Sequence, residues 1–137
     1  MGNFKINIAW EKGKTFKLES DNESFIGKKI GDVFGGSEVS GDLSGYTLKI
    51  TGTSDKSGFA GKSDEQGPGL RKVMLKKGKF FHKVKNKGVR KKKSVRGNEI
   101  SSATVQINTI VVKPGNKRLE EIFGEKKEES KEEKAEK

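Results

Sequence analysis

The sequence contains no cysteine, two prolines, a single histidine and no long apolar run. Without cysteine the chain has no disulfide, no thiol chemistry and no cysteine-based metal site. No segment approaches the ~20 apolar residues that a membrane-spanning helix needs. The first residues, Met1 to Lys5, lack the apolar stretch of a signal peptide. We therefore expect a cytoplasmic protein that does not associate with a membrane.

Acidic residues are absent from a central stretch that makes up about a quarter of the sequence. The thirty-three residues from Gln66 to Asn98 contain no Asp or Glu but thirteen basic side chains, in a chain with a formal net charge of +11. The thirteen are Arg71, Lys72, Lys76, Lys77, Lys79, Lys83, Lys85, Lys87, Arg90, Lys91, Lys92, Lys93 and Arg96. Residues 1–65, by contrast, are nearly neutral. Charge localised in this way indicates a docking surface for an anion. Nucleic-acid phosphate is the usual partner, because each Lys or Arg placed on it releases counterions.

No constellation of catalytic or metal-binding residues accompanies the basic segment. His82 is isolated, with no acidic residue within sixteen positions on either side. The sequence Gly61-Lys62-Ser63 resembles the end of a phosphate-binding P-loop, but Lys56 stands where that motif requires glycine. Residues 58–61 match the GXXG pattern of KH domains without the flanking helices that such a loop joins. We predict no enzymatic activity, no catalytic residue, no metal, no cofactor and no small-molecule substrate.

Alternation of apolar and polar residues predicts a fold made of strands. Phe4, Ile6 and Ile8 alternate with polar neighbours, and this period of two is typical of a half-buried strand. About seven short strands with glycine-rich turns indicate an all-β fold, which we expect to be a small, partly open β-barrel. Further strands are predicted at residues 16–18, 37–39, 46–51, 73–75 and 105–112, and one or two helical turns at residues 26–33. The strand at 105–112 is predicted to be central, and we expect Ile110 to lie in the core.

The chain divides into a folded part and a charged tail. Residues 1–116 are predicted to form an RNA-binding β-barrel domain that includes the basic segment 66–98. Glycine-rich residues 52–69 are predicted to be a loop, and residues 85–97 a basic arm that is mobile until RNA orders it. Leu119, Ile122 and Phe123 predict a short helix ended by Gly124. The rest of residues 117–137 is almost entirely Lys and Glu, for which we predict a disordered tail.

Apolar residues interleaved with the basic ones separate two interpretations of the basic segment. A solvated face or unstructured tail needs no such interleaving, whereas a strand with one face in the core produces it. Phe80 and Phe81 either join that core or stack on exposed bases, and the core is favoured for at least one of them. The predicted RNA-binding residues are the thirteen basic residues above together with Lys56, Lys62, His82 and Ser94.

Three stretches resemble the archaeal and eukaryotic small-subunit ribosomal protein six family. Residues 48–61 are similar to the family pattern of a strand end followed by Gly-Gly-x-Asp-x-x-Gly-Phe-Pro-Met, although Thr53 replaces the second glycine and Ala60-Gly61 replaces Pro-Met. The run from Arg90 to Gly97 resembles the family's basic stretch ending in Lys-Ser-Val-Arg-Gly. Residues 107–115 are similar to its last core strand and turn. The three occur in the family's order and the resemblance covers residues 3–123.

The resemblance implies a β-barrel protein of the small ribosomal subunit that takes part in translation. Its partners would be small-subunit ribosomal RNA and neighbouring ribosomal proteins. The short chain is similar to archaeal members, which lack the long C-terminal extension with phosphorylation sites. Two other functions remain open at this point. One is a nucleic-acid-binding barrel outside the ribosome, similar to an OB-fold; the other is an adaptor that binds proteins through the Lys/Glu tail.

Overall fold

Strands dominate the structure, a computed structural model that describes residues 3–124. The seven strands are β1 (Phe4–Ala9), β2 (Thr15–Ser20), β3 (Val33–Gly35), β4 (Thr47–Asp55), β5 (Leu70–Leu75), β6 (Lys91–Arg96) and β7 (Thr104–Lys113). Residues 119–124 form a helix, α1. Single 3₁₀ turns occur at Glu11–Gly13, Glu23–Phe25, Gly36–Glu38 and Gly41–Leu43. The predicted Lys/Glu tail beyond Gly124 lies outside the described residues.

Five of the strands form one sheet in the order β2-β1-β7-β4-β3. β1 and β7 run parallel, with Ile6 opposite Ile107, and the other neighbouring strands are antiparallel. The parallel pairing brings residues from the two ends of the domain together. It also places the C-terminal ends of β1 and β7 at the same end of the sheet. The prediction that the strand at 105–112 is central is confirmed.

One face of this sheet carries the main core. Phe4, Ile6 and Ile8 alternate along β1, and each is completely buried. They pack with Leu48 and Ile50 of β4 and with side chains from the connections and from α1. Phe25 is central to the packing, since its ring makes edge-to-face contacts with Phe4 and Phe34 at centroid distances of 6.1 and 5.3 Å. Helix α1 contributes Leu119 and Ile122 to the same core.

Strands β5 and β6 form a separate two-stranded ribbon. Its register runs from Leu70 opposite Arg96 to Leu75 opposite Lys91. A second, smaller core of Leu75, Phe81 and Val95 lies on one face of this ribbon, with Val73, Phe80 and Val84 packed against it. The basic segment therefore folds as an element of its own, attached to the five-stranded sheet.

The all-β prediction is confirmed, whereas the barrel is not, because neither sheet closes. β2 and β3 end the larger sheet, and each pairs with one strand only. Two local predictions are wrong. Residues 26–33 form turns in place of helix, and Gly36–Glu38 is a 3₁₀ turn in place of the strand expected at 37–39.

Three further expectations are compared here with the strands β4, β6 and β7. The loop predicted at 52–69 begins later, because β4 continues to Asp55 and pairs with β7 up to Thr104. The arm predicted at 85–97 includes residues 91–96, which form β6 and pair with β5 along their whole length; its mobility in the absence of RNA stays a prediction. Ile110 is also misplaced, since its side chain is 44% exposed while Ile107 and Thr109 face the core.

Candidate nucleic-acid interface

The β5–β6 ribbon has two chemically different faces. Arg71, Val73 and Leu75 lie on one face, opposite Val95, Lys93 and Lys91. The other face carries Leu70, Lys72 and Met74 opposite Arg96, Ser94 and Lys92. Because successive side chains in a strand point to opposite sides, the first face covers the small core, and the second faces solvent except at Arg96, which pairs with Asp55. Leu70 and Met74 are 46% and 57% exposed on that outer face. The ribbon thus presents lysines alternating with two apolar side chains.

The segment that joins β5 to β6 is fixed by aromatic packing. Gly78 and Phe81 form a β-bridge with hydrogen bonds in both directions between their backbones. Phe81 is buried in the small core, while Phe80 is partly buried against it. The ammonium group of Lys93 lies over the Phe81 ring, 4.5 Å from its centroid. The core interpretation of Phe81 is confirmed, and Lys93 is drawn toward that ring by a cation–π interaction.

A buried ion pair attaches the ribbon to the five-stranded sheet. Asp55 at the end of β4 is 6% exposed, and its Oδ2 accepts a hydrogen bond of 2.9 Å from Nε of Arg96. Its Oδ1 accepts the backbone N–H of Phe59 at 2.8 Å. Burial alone would raise the pKa of Asp55, but the hydrogen bonds from Arg96 and Phe59 and the Arg96 charge outweigh it and hold the pKa below its ordinary value.

Close backbone contacts pin the loop between β4 and β5 against the start of the ribbon. The N–H of Lys62 donates to the carbonyl of Arg96, and the N–H of Gly97 donates to the carbonyl of Gly69. A Cβ at Gly97 would lie 1.7 Å from the carbonyl oxygen of Gly67, so only glycine fits there. The loop is therefore packed onto the ribbon through its backbone.

Two lysines predicted to bind RNA lie in this loop. The ammonium of Lys62 pairs with Asp64 at 2.6 Å, and this hydrogen bond and charge lower the pKa of Asp64. Lys56 is exposed, and its N–H donates to the carbonyl of Ala103 at the approach to β7. Lys62 therefore lies beside the ribbon, whereas Lys56 lies beside the larger sheet.

Most cations of the basic segment have no carboxylate partner within the part of the chain that the structure describes. Of the thirteen, Arg71 lies 4.0 Å from Glu65 and Arg96 pairs with Asp55, while the other eleven form no ion pair there. Lys72, Lys91, Lys92 and Arg71 are exposed on the ribbon strands. The segment between the two strands adds exposed His82 and seven exposed cations: Lys76, Lys77, Lys79, Lys83, Lys85, Lys87 and Arg90.

The structure thus places the predicted residues 71–96 on one ribbon and on the segment that connects its strands. Their side chains differ in what they contact. Arg96 is committed to Asp55 and to the carbonyl of Pro68, and Lys93 to Phe81. Sequence reasoning missed Asp55 as the anchor of the ribbon and Leu70 and Met74 as exposed apolar residues. The acidic residue at the end of a strand, followed by a glycine turn, was the available signal for Asp55.

Metal-ligand groups and membrane-spanning helices were sought in the described range 3–124. No group of three or more His, Asp or Glu side chains there is placed to hold a metal ion. None of the helical segments in that range has both the length and the apolar character needed to cross a bilayer.

Comparison with known proteins places the sequence of this chain in a family. Residues 4–124 match the family described as ribosomal protein S6e. The protein called small ribosomal subunit protein eS6 of Methanoculleus marisnigri is 43% identical over 132 residues, covering 91% of this chain and 96% of that protein. The proteins of the same name from Methanococcus maripaludis and Methanothermobacter thermautotrophicus are 47% and 45% identical, covering 85% and 88% of this chain and 92% and 95% of theirs. The chain belongs to the ribosomal protein S6e family.

Proposed function

We propose that this member of the ribosomal protein S6e family binds small-subunit ribosomal RNA through its β5–β6 ribbon. The family supports a structural role in the small ribosomal subunit and in translation, and it is a family of ribosomal proteins, not a class of enzymes. The assignment of RNA binding to the ribbon is argued from the structure of this chain. Its partners would be ribosomal RNA and neighbouring ribosomal proteins, in the ribosomes of the cytoplasm.

One observation carries the proposal: an acid-free segment folds into a two-stranded ribbon, and eleven of its thirteen cations form no ion pair with any carboxylate of residues 3–124. An unstructured basic tail would lose conformational freedom on each contact with RNA. The paired strands β5 and β6 hold Lys72 and Lys92 on a common face before RNA arrives. The small core and the Asp55–Arg96 pair fix that face relative to the larger sheet. Cations placed in advance lose less entropy when they bind phosphate.

The shape of the ribbon favours recognition of RNA backbone. A-form RNA has a wide, shallow minor groove lined by 2′-hydroxyl groups and flanked by phosphates, and proteins recognise it mainly by shape. The outer ribbon face offers lysines for phosphates and the hydroxyl of Ser94 for a polar contact. Exposed Leu70 and Met74 between them suit the apolar faces of ribose. Such contacts position the protein and carry little sequence information.

The alternatives are less well supported by the same observations. An OB-like barrel needs a closed or nearly closed sheet, and the five strands here end in two unpaired edges. The adaptor function depends on the tail beyond Gly124, which lies outside the described residues. Membership of a ribosomal family supports the ribosomal role over both.

Salt dependence of binding to small-subunit ribosomal RNA tests the proposal. If six to eight cations meet phosphates, the slope of log affinity against log salt is about −5 to −7. Replacing Lys72 or Lys92 by Gln is expected to make this slope less steep by about one unit each. Lys5→Gln is the matched control, because Lys5 is also exposed but lies on β1. A slope near zero, or equal effects of Lys5→Gln and Lys92→Gln, would contradict the assignment of the ribbon.

A further inference from the structure

A groove at the end of the sheet opposite the ribbon has the composition of a nucleotide site. It has a volume of about 390 Å³ and lies between Trp10, which follows β1, and the segment from Pro114 to Glu120, which follows β7. The size falls in the ~300–1,000 Å³ range of small-ligand clefts. The parallel pairing of β1 with β7 explains why these two segments meet. The groove is therefore a product of the fold.

The aromatic wall of the groove is only partly covered. Trp10 is the single tryptophan of the chain and packs against the main core, yet it remains partly exposed. Tryptophan exposes a broad apolar face, on which a planar base or an apolar side chain packs well. Pro114 and Gly115 line the groove as well, so its lining near the indole is largely without charge.

The opposite wall carries charge. Lys117 and Arg118 are exposed and form no ion pair with any carboxylate of the described residues. Glu120 also lines the groove, but its carboxylate pairs with the ammonium of Lys14. The charged lining thus consists of two cations without an ion pair among residues 3–124 and one carboxylate that already has a partner. The combination of an aromatic face with nearby cations matches a ligand that is flat at one end and anionic at the other.

The groove is built to keep its shape. Gly115 packs so closely on the Tyr46 ring that a Cβ there would lie 2.6 Å from a ring carbon. The Tyr46 hydroxyl donates a hydrogen bond to the carbonyl of Lys117. Burial raises the pKa of Tyr46 and the Glu121 carboxylate raises it further, so the hydroxyl keeps the proton that it donates. The loop bearing the two cations is thereby held against Tyr46, which also lines the groove.

We propose that this groove binds one unstacked nucleotide of RNA, with the base on the Trp10 ring and its phosphate on Lys117 and Arg118. The site is distinct from the ribbon, since Asp55 and Thr104 mark the far end of the sheet. The ten residues of β7 span about 30 Å between the two ends. The protein would then connect two RNA elements, the ribbon on one and the groove on a single extruded nucleotide of another. This inference goes beyond the ribbon function and does not require the ribbon to bind helical RNA.

Fluorescence of the single tryptophan tests the site in the full-length chain. We expect triadenylate to quench Trp10 emission in a saturable titration, because base stacking on an indole changes its environment. The double variant Lys117→Gln, Arg118→Gln is expected to need at least about threefold more triadenylate for half-maximal quenching, since two exposed charge contacts are lost. Lys5→Gln with Lys17→Gln removes the same charge from exposed positions on β1 and β2 and is expected to leave the titration unchanged.

Amide shifts give a second readout that survives loss of the indole. In Trp10→Phe the shifts of Gly115 and Asn116 on triadenylate addition are expected to persist, whereas in Trp10→Leu the affinity falls about 5- to 100-fold. Absence of saturable quenching, or equal weakening by the Lys5/Lys17 control, overturns the proposal. A blue shift of Trp10 emission on subunit assembly, without any response to triadenylate, would mean that the groove takes up an apolar side chain. That result also overturns the proposal. Lys72→Gln and Lys92→Gln leave the Trp10 signal unaltered, so failure of the groove is separable from failure of the ribbon.

Discussion

Removing the charge of Asp55 tests how the ribbon is held to the sheet. Asp55→Asn keeps the shape of the side chain and an oxygen that accepts the N–H of Phe59, but leaves the Arg96 guanidinium without its carboxylate. A hydrogen bond to a charged group contributes about 1.5–3 kcal/mol, and breaking a fully buried ion pair costs about 3–5 kcal/mol. The Arg96 side chain is 25% exposed, so water partly replaces the lost partner. We therefore expect a loss of about 1.5–3 kcal/mol in the free energy of unfolding.

The pH dependence of this loss gives the prediction a sign. The pKa of Asp55 is lower in the folded protein than its ordinary value, so the unfolded chain takes up the proton first as the pH falls. The stabilisation is complete above the ordinary Asp pKa of about 3.9 and is lost as the pH falls through the folded pKa. The wild-type protein and Asp55→Asn should consequently differ in urea midpoint at pH 7 and converge in strong acid.

Asp64→Asn is the matched control for this experiment. Its carboxylate also has a lowered pKa, from a hydrogen bond and charge of Lys62, but its side chain is 76% exposed. Exposed pairs of this kind contribute at most about 1 kcal/mol. Urea melts of both variants test the anchoring role. Arg96→Gln, alone and combined with Asp55→Asn, gives the coupling free energy between Asp55 and Arg96. A loss below about 0.5 kcal/mol for Asp55→Asn, or equal losses for the two variants, would refute the anchoring role.

The remaining predictions concern the core and the loop contacts. Ile107→Ala is expected to lower the free energy of unfolding by about 2–5 kcal/mol, because Ile107 is completely buried. Ile110→Ala on the same strand is the control and should cost far less, since Ile110 is 44% exposed. Equal losses for the two variants in denaturant melting would show that the buried face of β7 is assigned wrongly. Gly97→Ala forces its Cβ onto the carbonyl of Gly67 and is expected to lower the free energy of unfolding by about 1–3 kcal/mol. Gly69→Ala is the control, because a Cβ there has open space around it. No loss of stability for Gly97→Ala in the same melts would contradict the close packing of loop and ribbon.

Local sequence patterns predicted the strands well wherever one face of the strand is polar. β1 was recognisable because Phe4, Ile6 and Ile8 alternate with polar residues and one face alone is buried. In β7 Gln106 and Asn108 alternate with β-branched neighbours, but residues 109–112 are all β-branched, so alternation alone does not identify the buried face in that half of the strand. The register with β1 decides it, by placing Ile107 beside Ile6 and Thr109 beside Ile8. Thr109 tolerates burial since its hydroxyl donates to the carbonyl of Asn7.

Closure of the sheet and pairing of the ribbon depend on contacts that no local pattern encodes. A barrel would require β2 to meet β3, and β3 has only three residues, so little edge is available for pairing. β5 and β6 are separated by fifteen residues, and most positions of β6 are Lys or Arg, which suggested a mobile arm. The pairing forms because Val95 lies opposite Arg71 on the face that also carries Leu75, and together with Phe81 these apolar residues make a core.

The same arrangement explains how so many like charges are stable on one small element. Each cation of β5 or β6 lies directly opposite a residue without charge, so cations on the two strands meet only diagonally, as Lys72 and Lys92 do, about 7–8 Å apart, where they still repel each other. Lys93 offsets part of this by lying over the Phe81 ring, and Arg96 by pairing with Asp55. Both compensations occupy cations next to the small core or the sheet, so Lys72 and Lys92 on the outer face keep their full charge for a ligand. The repulsion left on that face disfavours the free ribbon, and phosphate binding removes it. The stability of the ribbon and its affinity for RNA are therefore linked: RNA is expected to stabilise β5 and β6 against unfolding more than the five-stranded sheet.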